Sequence, residues 1–195
     1  EGLAVRVVCE NRCDAPPREV LGDGVEVIRL PPPRPGVLWR WRALTDVLWW
    51  RRAVAEHATD GAVWASQHLA AMGAILAGRR RQLVFNPAGC AAAMHRLSRA
   101  RPEVTTMHKP RLNRMLDALV YRLAKLMVVS SHNLREQFES HHGCGTPIRV
   151  VPHGVDLGDE ADRADAGRTF GLYADNPVIG FVGRLDPCKD LPFLF

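Results

Sequence analysis

Near the C-terminal end of the 195-residue sequence, a glycine, an arginine and a lysine have the types and spacing to hold a diphosphate. Residues 177–182 read P-V-I-G-F-V, an apolar run suited to a strand buried on both faces. Gly183 comes next, then Arg184, and Lys189 five residues further on. Gly183 lets a ligand approach the backbone closely. The planar guanidinium of Arg184 forks onto phosphate oxygens, and Lys189 adds a point charge. A helix starting near Asp190 would turn its positive end toward the same place. A plainer reading pairs Arg184 and Lys189 with Asp186 and Asp190 on the surface, and spacing alone does not separate the two.

Further candidates sit in turns after earlier apolar runs. Asn86 and Gly89 belong to an N-P-A-G turn that closes the run over residues 82–86. The Asn86 side chain is an amide able both to donate and to accept a hydrogen bond. His108, followed by Lys109 and Pro110, is a loop histidine that could face a cleft, although a lone loop histidine is more often simply solvated. No metal ligand set is expected. The five cysteines form no C-x-x-C pair, and Cys9 and Cys13 have no histidine close by in sequence. Reduced thiols of a cytoplasmic protein are the expectation.

The elements that must position these residues alternate. Strands are expected over residues 3–9, 24–30, 61–65, 82–86, 126–129 and 148–151, with a loop over 14–23. Helices are expected over 39–57, 68–77, 111–125 and 133–141. In the 111–125 helix, Leu112, Met115, Leu116, Leu119 and Leu123 form the apolar face. Residues 157–165 are polar, acidic and small, as in a linker, and 168–172 suit one helical turn. Strands alternating with helices argue for a parallel α/β sheet, whose ligands sit beyond the carboxyl ends of the strands.

The segment G-R-L-x-x-x-K at residues 183–189 resembles the donor diphosphate site of retaining GT-B glycosyltransferases, especially family four. Residues 128–131 (V-V-S-S), then a helix, then 148–156 (I-R-V-V-P-H-G-V-D) resemble that family's late N-terminal domain and its crossover. The resemblance implies a Rossmann-like N-terminal domain over residues 1–156 that lacks its first strand. A crossover over 157–176 would lead to the first strand of a second Rossmann-like domain over 177–195. It also implies that Arg184 and Lys189 stabilise the leaving nucleotide and that Gly183 admits the donor. Gly154 would supply the crossover turn, and Asp156 would fix it by hydrogen bonding. Where many relatives place a histidine close to the reacting sugar, this sequence has Asn86, whose backbone or amide could contact the sugar or acceptor. On the same resemblance His108 could act as an acceptor-site base.

The activity implied by the resemblance is that of a hexosyltransferase using a nucleotide diphosphate-sugar without a metal or other cofactor. Its acceptor would be a glycan, a lipid-linked glycan or a small molecule. As a fragment, the 195 residues alone would be inactive. The alternatives are a binding or scaffold protein derived from such an enzyme, or another GT-B enzyme such as a sugar-nucleotide epimerase.

Composition narrows the field. The net charge of +5 suits phosphate-bearing partners, but no aromatics interleave with a basic stripe, which disfavours nucleic acid. No G-x-G-x-x-G follows a strand, which disfavours a dinucleotide-dependent oxidoreductase. Trp39, Trp41, Trp49 and Trp50 lie close to Arg51 and Arg52. Core packing is the favoured reading for them, with peripheral membrane contact as the alternative. Arg79, Arg80 and Arg81 read as a solvated turn ahead of a strand.

Overall fold

The computed structural model describes residues 4–11, 15–22, 24–33, 42–58, 60–100, 110–143, 145–154, 167–169 and 171. These build two sheets flanked by helices. In the first, β1 (Arg6–Glu10) runs parallel to β3 (Val25–Leu30), with Val7 beside Val27. On the other side of β3 lies β2 (Arg18–Leu21), antiparallel. β2 falls within the stretch expected to be a loop. Its four residues carry too little alternation to announce a strand, and charge pairing helps to hold them. Glu19 accepts from Arg29 at 2.6 Å, and Arg18 and Arg6 both pair with Glu26. Gly22 (φ +41°) and Gly24 (φ +89°) supply the left-handed backbone of the β2–β3 turn.

The second sheet is fully parallel, in the order β4-β5-β6-β7. Its strands are β4 (Val63–Ala65), β5 (Leu83–Phe85), β6 (Leu126–Val129) and β7 (Ile148–Val150). Parallel neighbours need a crossover between them, and helices provide it. They are α2 (His68–Leu76), α3 (Ala91–Ala100) with α4 (Pro110–Leu123), and α5 (His132–His142). α1 (Arg42–His57) precedes β4 and packs on α2. α3 is absent from the helices expected above, because the apolar residues of A-A-A-M-H-R-L-S-R-A are mostly alanines, a weak sign of helix in an alanine-rich sequence. The core lies between the parallel sheet and its helices, with Leu83, Phe85, Val120, Met127, Val129 and Phe138 fully enclosed. No described helix is long and apolar enough to cross a membrane.

Two local expectations change. On α4 and just past its end the buried residues are Leu116, Asp117, Val120, Tyr121 and Ala124, while Met115 and Leu119 are exposed. The helix is rotated from its expected face because polar contacts, not apolar count, set its azimuth. Asp117 bonds to α3, and the Tyr121 hydroxyl donates to the Gly143 carbonyl at 3.2 Å. The arginines before β5 also do more than face solvent. Arg79 donates to the Ala58 carbonyl and Arg80 to the Leu123 carbonyl, pinning neighbouring chain ends to a short 3-10 turn.

Of the tryptophans, Trp49 and Trp50 are half-buried and meet edge to face with ring centres 4.7 Å apart. The Trp49 indole N–H donates to the Pro31 carbonyl, and Trp64 on β4 is exposed. Trp39 and Trp41 lie outside the described residues.

Candidate active site

Because β4 to β7 are parallel, the turns after them line one edge of the sheet. After β4 come Ser66, Gln67 and His68. After β5 come Asn86 to Gly89, after β6 Ser130 and Ser131, and after β7 residues 151–154. This is the edge at which ligands bind in open α/β sheets.

Asn86 is built into that edge. Its backbone N–H donates to the Ala65 carbonyl at 2.8 Å, and its side-chain Nδ2 donates to the Val128 carbonyl at 2.8 Å. One residue thus ties the ends of β4 and β6 to β5. The Oδ1 atom remains as an acceptor for a ligand hydroxyl. Pro87 is buried beneath the turn, and Gly89 is half-buried with open space where a side chain would begin. Ser131 caps α5, its hydroxyl accepting from the Leu134 N–H at 3.2 Å. Gly154 lies outside the left-handed region, so its backbone conformation is open to any residue. Gly183, Arg184, Lys189, His108 and Asp156 lie outside the described residues.

Three residues near this edge are not among the sequence candidates. Asp117, on α4, is 2% exposed, and its Oδ2 accepts the Ala91 N–H at 2.7 Å. It caps α3 from another helix, directly after the Asn86–Gly89 turn. Burial pushes its carboxyl up to about 6, against the partial relief of that N–H bond. His68 follows β4 and opens α2, with Nδ1 3.8 Å from Asp117 Oδ1. Burial lowers its pKa, opposed by a hydrogen bond with Asn113, which favours a neutral imidazole. Cys90 is 1% exposed, with Sγ 3.9 Å from His142 Nε2 and 3.9 Å from the Gln137 carbonyl. Burial pushes the Cys90 thiol up. The sequence signal for His68 is its place just past a strand. For Asp117 it is an acid one turn before Val120 and Tyr121, masked by the leucines of the other face.

Asp117→Ala is expected to destabilise the fold by about 2 kcal/mol, since it strands a buried N–H and removes a helix cap. Asp117→Asn keeps an oxygen for Ala91 while deleting a carboxylate that burial disfavours. Urea unfolding at neutral pH should therefore find the Asn variant no less stable than wild type. Equal losses in both variants would mean that the charge itself is what α3 requires.

Parts of this chain are similar to known proteins. D-inositol 3-phosphate glycosyltransferase of Actinosynnema mirum is 50% identical over 44 residues, 22% of this chain and 11% of that protein. The protein of the same name from Mycobacteroides abscessus is 34% identical over 84 residues, 42% of this chain and 19% of that protein. These matched segments are well under two thirds of either relative. Sucrose-phosphate synthase from Thermosynechococcus elongatus superposes with a TM-score of 0.76 at 18% identity, over 98% of this chain and 48% of its own. At that identity the likeness concerns the fold, which is the α/β architecture of a GT-B glycosyltransferase. Residues 1–159 match Glycosyltransferase Family 4, and the chain belongs to that family.

Proposed function

We propose that the protein containing this chain transfers a hexosyl group from a nucleoside diphosphate-sugar to an acceptor hydroxyl, with retention of anomeric configuration. In that reaction the bond between the sugar C1 and the diphosphate oxygen breaks, and the diphosphate leaves with the electron pair. The acceptor oxygen bonds to C1 and gives up its proton. The family match over residues 1–159 is the observation that carries this reading. The alignment of four loops along one carboxyl edge supports it, as does the G-R-L-x-x-x-K segment at 183–189.

In this reading Arg184 and Lys189 neutralise the departing diphosphate without a metal, and Gly183 lets it approach the backbone. The Asn86–Gly89 turn faces the acceptor side. Two relatives are named for D-inositol 3-phosphate, so a phosphorylated cyclitol is the first acceptor to try, ahead of glycans and lipid-linked glycans.

The test is product analysis. The intact protein is incubated with α-configured nucleotide sugars and a panel of acceptors, and the new linkage is read by proton NMR. An α-linked product is expected. A β-linked product would overturn retention. A rearranged nucleotide sugar with no acceptor product would point to an epimerase instead. No turnover together with a stable protein partner would favour a binding protein built on the same fold.

A further inference from the structure

Cys90, Asp117 and His142 come from three separate stretches of chain, yet each places one potential ligand atom within 4.8 Å of the others. Cys90 sits just before α3, Asp117 in the middle of α4, and His142 at the end of α5. Cys90 and Asp117 are buried, and His142 is half-buried. Sγ of Cys90 and Nε2 of His142 are 3.9 Å apart, close to the separation of two ligands on one tetrahedral ion, about 3.5 Å from typical bond lengths. The His142 ring is oriented by Phe138, whose centroid is 5.7 Å away, and by Tyr121 at 6.3 Å. Asp117 uses Oδ2 for the Ala91 N–H, and a carboxylate has acceptor positions to spare beyond that bond.

We infer that Cys90, Asp117 and His142 form a binding site for a zinc-like divalent cation, which ties α3, α4 and α5 together beneath the Asn86–Gly89 turn. The donor set decides the class of ion. One sulfur, one nitrogen and one oxygen suit a borderline cation such as Zn²⁺ or Co²⁺, whereas Mg²⁺ and Ca²⁺ take oxygen ligands. A thiolate and a carboxylate together would balance the charge of the ion in this enclosed setting. Three protein ligands leave a fourth position for water. No step of the proposed reaction is assigned to these three residues, so the site stands or falls independently of that reaction. The sequence does not announce it, because the ligands are 27 and 25 residues apart, far from the short spacings of common zinc motifs.

The probe is Co²⁺ alone, titrated into chelator-treated protein under reducing, oxygen-free conditions. One equivalent should bind, with a thiolate-to-cobalt band in the near ultraviolet that Zn²⁺ abolishes by displacement. Cys90→Ser should remove the band. His142→Gln should keep it and weaken binding by at least about tenfold, as loss of a ligand should cost no less than loss of an outer-shell partner. Cys9→Ser should change neither. Absence of one-to-one binding to the wild-type protein overturns the site, as does a band that survives Cys90→Ser. If Cys90→Ser does not fold, as judged by circular dichroism, His142→Gln decides alone. Unchanged affinity in that variant overturns the site, and the tenfold loss upholds it.

Discussion

Arg184→Ala in the intact protein is expected to lower the turnover number of sugar transfer by about 10²- to 10³-fold, the cost of removing one preorganised donor from a developing charge. The diphosphate gains negative charge as the glycosidic bond breaks. A guanidinium aimed at it is therefore worth more in the transition state than in the bound donor. Lys189→Ala should act in the same direction, on turnover more than on the acceptor's KM. Arg184→Lys should rescue only part of the loss, because an ammonium cannot reproduce the two-pronged contact. Steady-state kinetics with donor and acceptor varied separately will show the split. An unchanged turnover number in both alanine variants would return these residues to the plainer role of pairing with Asp186 and Asp190.

The second large effect is on folding. A methyl group at Gly73 would sit 2.5 Å from Trp50 Cβ and 2.8 Å from the backbone of Trp50 and Arg51. Since those atoms belong to the body of α1, they cannot rotate away. Gly73→Ala ought to gain about 1 kcal/mol in helix propensity. Forcing α1 and α2 apart should cost more, leaving a net loss of roughly 2–3 kcal/mol. Gly61→Ala is the control, with open space around it and a predicted change within about 0.5 kcal/mol. Denaturant midpoints will compare them. A stabilised Gly73→Ala protein would mean that the two helices do not approach this closely. A methyl group at Gly145 would meet the Tyr121 ring at 2.5 Å, a side-chain rather than a backbone contact.

Much of the parallel sheet is legible in the sequence. The apolar runs at 82–86 and 126–129 are continuous because both faces of these strands are buried or half-buried, and continuity is easy to see. What escapes depends on partners distant in the chain. β2 is held by its backbone ladder with β3, helped by Glu19 and Arg18, whose counter-charges lie on β3. α3 lacks a leucine stripe and takes its cap from Asp117, 26 residues away. The buried face of α4 differs from the leucine stripe because one buried aspartate and one buried tyrosine outweigh Met115 and Leu119 in fixing its rotation. The same logic hides Cys90 and His142, which become neighbours only when α3 and α5 pack. Asn86 stands out in the sequence as a loop residue, but its bond to the Val128 carbonyl arises from strand order, which no local pattern records.

The most direct test of the glycosyltransferase reading is calorimetric titration of the intact protein with nucleoside diphosphates and their sugar conjugates. Saturable one-to-one binding is expected for at least one of them, weakened at least about tenfold in the Arg184→Ala and Lys189→Ala variants, as loss of a charge-assisted phosphate contact requires. Absence of binding across the panel, or binding that both variants leave unchanged, would contradict it.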